Sequence, residues 1–158
     1  QTFNSDAEAI YADFAAAIEQ LRQNPKIDGR KVAAVGFSNG GYFALWLAAT
    51  NKIQAGVSYY GALTGAGTDR TLNRYRSTFT ATSAPVLILH GTEDATVRFA
   101  SAVELDGILS GAQAPHEFYQ YAGAGHRFER DNGGNNEAAA ADAWTRTQAF
   151  LAKVLKSR

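Results

Sequence analysis

The stretch Lys31 to Thr50, K-V-A-A-V-G-F-S-N-G-G-Y-F-A-L-W-L-A-A-T, constrains the fold more than any other. It begins with Val32 to Val35, an apolar run short and β-branched enough to be a buried strand. It turns through Gly36-Phe37-Ser38-Asn39-Gly40-Gly41 into a second apolar run with the length of a helix. A strand that passes through a glycine-flanked serine straight into a helix pushes that serine out of the backbone path. Glycine at 36 and 40 suits such a turn, since a Cβ at either position is expected to crowd it. The helix then aims its first N–H groups at the serine, where developing negative charge is favoured. Ser38 is therefore the first candidate nucleophile.

The chain has 158 residues, 46% of them hydrophobic and 19% charged, the profile of one globular domain with a sizeable core. Its formal net charge of +0 leaves no basic face for nucleic acid or for a membrane surface. The longest apolar candidate, Tyr42 to Ala49, falls far short of the roughly 18 residues of a spanning helix. With Cys 0, disulfides, zinc–thiolate sites and thiol nucleophiles are excluded. With Met 0, even position 1 lacks an initiator, so the chain reads as having lost an initiator, a leader or a longer N-terminal piece. The compartment stays open.

Periodicity supplies the remaining elements. Ser5-Asp6-Ala7-Glu8 reads as a capping box, followed by Ile10, Phe14, Ile18 and Leu21 at helical spacing, and Asn24-Pro25 as the stop. Ala55 to Tyr60 reads as a strand closed by Gly61, and Gly61 to Ser83 as a polar loop with a weak helix. Pro85 opens Val86 to His90, apolar almost throughout as a doubly covered parallel strand requires. Phe99 to Leu109 is expected as a helix, His116 to Tyr121 as a strand, and Gly123 to Asn136 as a loop. The closing helix is expected to bury a stripe of Trp144, Gln148, Leu151 and Leu155, flanked by Phe150 and Val154. Strands separated by helices imply an α/β fold, a three-layer parallel sheet with helices on both faces.

Sites in such sheets lie at the carboxyl ends of the strands. Ser38, Asp94 and His126 each follow a strand, so all three are expected at one edge. A serine hydroxyl needs a base to take its proton, and a carboxylate fixes the tautomer of an imidazole that does so. Of the His 3, only His126 lies in a glycine-flanked loop after the last strand. His90, ending a strand, reads as a hydrogen-bonded structural residue, and His116 as surface. Glu93 competes with Asp94 as the acid; Asp94, three residues past Gly91, is better placed to turn back, with Asp106 and Asp131 as minor alternatives. No metal-ligand spacing is present, so neither metal nor cofactor is expected.

The segments N-P-K-I-D-G-R-K-V-A-A-V-G-F-S-N-G-G, A-P-V-L-I-L-H-G-T-E-D-A-T-V and Y-A-G-A-G-H-R-F resemble the α/β-hydrolase superfamily, most closely its dienelactone hydrolase-like branch. The resemblance implies the fifth to eighth strands of that fold, carrying nucleophile, acid and base in turn, with the backbone N–H of Asn39 as an oxyanion donor. It implies a serine carboxylesterase acting on small-molecule esters through an acyl-enzyme. Dienelactone hydrolases proper use cysteine where this chain has Ser38. The family's first four strands have no counterpart here, and with them goes the second oxyanion donor. Val32 to Val35 is then expected to be an open apolar edge, covered by a missing N-terminal half or by a partner chain. Tyr60, Phe99, Arg127 and Phe128 are candidates for the pocket wall. An Arg70/Arg74/Arg76 cluster offers either an acidic-substrate site or a solvated face. Two other readings share these residues: a peptidase or amidase of prolyl oligopeptidase type, and an inert hydrolase-fold module used for binding.

Overall fold

In the computed structural model, residues 6–63, 71–130 and 136–156 are described. Helix α1 (Ala7–Arg22) leads to strand β1 (Ala33–Phe37), helix α2 (Asn39–Ala49), strand β2 (Ala55–Tyr59) and a short helix α3 (Asn73–Thr78). Strand β3 (Val86–Gly91), helix α4 (Phe99–Gly111), strand β4 (His116–Tyr121) and helix α5 (Glu137–Lys156) follow. The strands form one parallel sheet in the order β1-β2-β3-β4, as the alternation of strands and helices requires.

The core divides into two layers along the period of the strands. Val86 and Ile88 of β3 point into the layer formed with α1, α2, α3 and α4. Leu87 and Leu89 point the other way, into the layer closed by α5. Residues 86 to 89 are all 0% exposed, which explains why that strand is apolar without alternation. Helix α2 is buried on every side from Gly41 to Ala49, so its apolar composition runs all round.

Expectations about one helix cap and two helix faces change. The N-cap of α1 is Asp6, whose Oδ1 accepts from Ala9 N–H at 2.9 Å, while Ser5 lies outside the described residues. The reach of Glu8 back to Ser5 lies outside the described residues; Glu8 pairs with Arg74 of α3 at 2.7 Å. On the same helix Phe14 and Leu21 stay 40% and 48% exposed, because α1 packs on α2 along one flank. There Tyr11 stacks on Trp46, ring centroids 4.2 Å apart. In α5 the buried positions are Ala139, Ala143, Thr147 and Phe150, and Trp144 is 55% exposed. The sheet face beneath already carries the rings of Tyr59, Tyr121 and Phe128, so the first half of α5 approaches through small residues and turns its tryptophan outward, while Phe150, Leu151 and Val154 pack further along.

Strand β1 is an edge, and Val35 and Phe37 are 40% and 39% exposed along it. A groove between β1, α1 and α2 is lined by Phe14, Val35 and Phe43 among others.

Candidate active site

The nucleophile candidate sits on a strained turn. Ser38 has φ 51 and ψ −117, a left-handed conformation that non-glycine residues seldom adopt. Main-chain bonds hold it there: Ser38 N–H donates to Tyr59 O at 2.9 Å, and Ser38 O accepts from Tyr42 N–H at 3.1 Å. Gly36 is obligatory, since a Cβ there would lie 2.1 Å from Gly40 O. A Cβ at Gly40 itself would meet nothing within 4 Å, so the expected crowding comes from one glycine of the pair. Asn39 opens α2, so its N–H has no intrahelical acceptor.

The candidate acid and base are brought together by two neighbouring loops. Gly91, at the end of β3, lets the histidine loop come close: a Cβ there would lie 2.1 Å from Ala124 O. Thr92 N–H donates to Tyr121 O at 2.9 Å and Glu93 N–H to Ala124 O at 3.0 Å, joining the two turns. Asp94, 5% exposed, takes four donors. Its Oδ1 accepts from the N–H groups of Thr96 at 2.9 Å and Val97 at 2.8 Å. Its Oδ2 accepts from His126 Nδ1 at 2.8 Å and lies 3.4 Å from His90 Nε2. Burial pushes the Asp94 carboxyl up, but hydrogen bonds from His126, His90 and Val97 N–H outweigh it and hold the group well below the usual carboxylate range. An ionised Asp94 can only accept, so His126 carries its proton on Nδ1 and presents Nε2 as a base.

His90 is structural, as its position suggested, and the structure adds where it acts. It is 0% exposed, and its Nε2 lies 2.8 Å from Val97 O, which can only accept, so Nε2 carries the proton it also offers to Asp94. Its Nδ1 is buried without a hydrogen-bond partner among the described residues. His116 is not a free surface side chain: Nδ1 donates to Ala114 O at 2.8 Å, and Nε2 lies 3.1 Å from Asp106. That pair occupies the amino end of β4, which removes Asp106 from contention as the acid. Glu93 is exposed, and Asp131 lies outside the described residues.

Several expectations about the pocket wall are corrected. Tyr60 is 1% exposed and Phe128 0%, so neither ring faces solvent. Phe128 belongs to the α5 layer of the core, tilted against Tyr121. Phe99 packs on Phe118 and His90 in the opposite layer. Arg127 alone of the four is exposed. Arg74 lies over the Trp46 ring at 3.6 Å, and Arg76 pairs with Glu104 at 2.7 Å, so these two arginines tie helices together; Arg70 lies outside the described residues. A cavity of about 470 Å³ is lined by Pro85, Pro115 and His116 at the amino ends of β3 and β4, the wrong edge for this chemistry.

Tyr60 has a role that its burial explains. It follows β2 with φ 42, and its ring packs on the His126 imidazole at 4.4 Å between centroids. Its hydroxyl donates to Glu129 Oε1 at 2.6 Å; burial, then that bond, pushes the phenol pKa far up. Sequence reasoning missed Glu129, and the only available signal was its place three residues after His126. Ser38 Oγ and His126 Nε2 make no hydrogen bond to any described residue, a gap common before substrate binds. Among the described residues there is no group of ≥ 3 metal-ligating side chains, and no helix is long and apolar enough to cross a membrane.

Known proteins can be set beside this geometry. A family model described as the dienelactone hydrolase family matches residues 1–155. The chain is similar to a carboxymethylenebutenolidase of Rhodococcus opacus, 33% identical over 142 residues, covering 87% of this chain and 56% of the relative. Among solved structures it is similar to a Klebsiella pneumoniae protein assigned as a dienelactone hydrolase, with TM-score 0.78 and 27% identity, covering 90% of this chain and 60% of that one. It is also similar to a dienelactone hydrolase-like promiscuous phosphotriesterase from metagenomic libraries, with TM-score 0.74 and 25% identity, covering 94% of this chain and 63% of that one. The chain thus spans little more than half the length of these relatives.

Proposed function

The chain belongs to the dienelactone hydrolase family, and from that premise we propose that it carries the triad of a serine hydrolase acting on carboxylic esters, lactones included. The observation that carries the proposal is the 2.8 Å bond from His126 Nδ1 to Asp94 Oδ2, at the same sheet edge as the strained Ser38 turn. His126 Nε2 takes the Ser38 proton as Oγ attacks the ester carbonyl. The oxyanion of the tetrahedral intermediate is met by Asn39 N–H at the start of α2. The imidazolium then protonates the departing alcohol, leaving an acyl-serine. Nε2 next deprotonates a water, which attacks the acyl carbonyl and returns the proton to Ser38 as the acid leaves. A serine in place of cysteine favours general ester hydrolysis over the dienelactone reaction itself.

In the whole protein the second oxyanion donor comes from beyond the β1 edge, where an upstream segment or a partner chain covers Val35 and Phe37. The test is intact-mass labelling of the purified protein, in its full natural length, with a fluorophosphonate. Stoichiometric modification of Ser38 that vanishes in His126→Ala is expected. Matched ester and amide substrates then separate an esterase from a peptidase. A folded, full-length protein that neither labels nor hydrolyses esters would overturn the proposal in favour of an inert module.

A further inference from the structure

We infer that Tyr60 and Glu129 form a positioning pair that sets the rotation of the His126 ring, and through it the rate of acyl transfer; this rests on the triad proposed above. The hydrogen bond to Asp94 fixes the Nδ1 corner of the imidazole but leaves the ring free to swing about that bond, because the terminal torsion of histidine is broad. Nε2 must point at Ser38 when the proton moves, so the swing has to be stopped by something touching the ring. Tyr60 touches it, at 4.4 Å between centroids and 56° between planes.

Tyr60 is itself fixed from several directions. Its N–H donates to Leu89 O at 2.8 Å, its ring meets Phe128 at 5.9 Å and Phe37 at 6.2 Å, and its hydroxyl donates to Glu129 at 2.6 Å. Phe37 is the residue before Ser38, and Tyr59 O holds the Ser38 N–H. Tyr60 therefore spans the gap between the nucleophile turn and the histidine loop. Glu129, three residues past His126, ties that loop to the far end of the same side chain.

Two costs converge on this contact. An aromatic residue at φ 42 is strained. Glu129 Oε2 is buried with no hydrogen-bond partner among the described residues, while Oε1 serves both the Tyr60 hydroxyl and Arg130 Nε at 3.3 Å. A half-satisfied carboxylate beneath a strained tyrosine is a poor device for stability alone. Its placement behind the base accounts for both.

The test is steady-state hydrolysis of a p-nitrophenyl ester by the full-length protein and its variants, with thermal unfolding in parallel. Tyr60→Phe keeps the ring and removes the hydroxyl; Glu129→Ala removes the acceptor. Each is expected to lower kcat about tenfold with KM within about twofold, as loss of a transition-state geometry does. Glu129→Gln, which still accepts from the Tyr60 hydroxyl, recovers most of that loss. The double variant Tyr60→Phe/Glu129→Ala is no slower than either single one, because both break one contact. Variants that melt earlier but keep kcat within about twofold of wild type, or single effects that multiply in the double variant, overturn the inference. If Glu129→Ala does not fold, the near-isosteric Tyr60→Phe decides alone. A wild type that neither hydrolyses esters nor takes the fluorophosphonate sinks the triad itself, and this pair with it; an active wild type with indifferent variants sinks only the pair.

Discussion

Replacing Asp94 by asparagine changes one atom and puts every donor around it in conflict. The carboxylate receives two backbone N–H groups on Oδ1 and faces two imidazole N–H groups on Oδ2. An asparagine that keeps its oxygen on Thr96 and Val97 presents an amide NH₂ to His126 Nδ1 and His90 Nε2. His90 cannot yield its proton without losing the bond to Val97 O at 2.8 Å, so a donor meets a donor there. His126 is forced to accept at Nδ1 and carry its proton on Nε2, which abolishes the base. The flipped amide is worse, because two backbone N–H groups then face the NH₂. A wrong tautomer costs about 10⁴ in rate in a triad of this kind, and four decades correspond to about 5.4 kcal/mol of activation free energy. The fold loses less: one charge-assisted bond weakened and one buried donor orphaned amount to about 2–3 kcal/mol. At 158 residues that lowers Tm by about 5–10 °C. The assay is the second-order rate constant for fluorophosphonate modification of Ser38, read by intact mass, beside a melting curve. Glu93→Gln, on the exposed neighbour, serves as the control and keeps the wild-type rate. A loss of less than about tenfold in a folded Asp94→Asn protein would refute the assignment of the acid.

Three further outcomes are expected of the same structure. Gly36→Ala drives a Cβ to 2.1 Å from Gly40 O and 2.2 Å from Gly40 C, both backbone atoms, so denaturant titration is expected to show a loss above about 3 kcal/mol or no folded protein. Phe150→Ala empties a position 4% exposed beneath α5 and costs about 3–5 kcal/mol, whereas Trp144→Ala, at 55% exposed, stays within about 1 kcal/mol by the same titration. Stability also falls on the acid side. The folded Asp94 carboxyl lies below its unfolded value of about 3.9, so its contribution is full above about pH 4 and declines as the pH drops towards 2. Denaturation midpoints across that range should fall less steeply for Asp94→Asn than for wild type.

The order of elements and the placing of Ser38, Asp94 and His126 at one sheet edge were legible because each depends on local pattern. The strand His116 to Tyr121 lies between Pro115 and a turn, and the observed bounds coincide with the expected ones. Ser38, Asp94 and His126 could be put at one edge from connectivity alone, since parallel strands point their carboxyl ends the same way. Contacts between distant loops were not legible. Glu129 meets Tyr60 across 69 residues, and nothing in H-R-F-E distinguishes that glutamate from a solvated one. His90 looked like a strand-end residue, and only the turn after β3 brings the Asp94 carboxylate back to it. The faces of α1 and α5 were legible only in part, for a related reason: Ile10 and Ile18, then Phe150, Leu151 and Val154, meet the core, while Phe14, Leu21 and Trp144 stay exposed. Helical spacing identifies which residues share a stripe, but the neighbouring layer decides which stripe is buried. For α5 that layer was filled by rings from β2, β4 and the histidine loop, and for α1 only one flank has a neighbour in the described chain.

The site is held by main chain before any side chain acts. Ser38 N–H bonds to Tyr59 O, Tyr60 N–H to Leu89 O, Thr92 N–H to Tyr121 O and Glu93 N–H to Ala124 O. Each strand end thus donates to the next, from β1 across to the loop after β4. This stair carries the strain at Ser38 and Tyr60, because both residues donate from left-handed positions to a neighbour that cannot move without the sheet. Asp94 and His126 then need only one bond between them to fix the imidazole. Among the described residues the sheet ends at β1 on one side and at β4 on the other. At β1 the side chains of Val35 and Phe37 lie 40% and 39% exposed, beside a groove lined by Phe14, Val35 and Phe43 among others. On the proposed mechanism, a strand paired with β1 would run beside the Ser38 turn, so covering this edge and supplying a second oxyanion donor become one requirement.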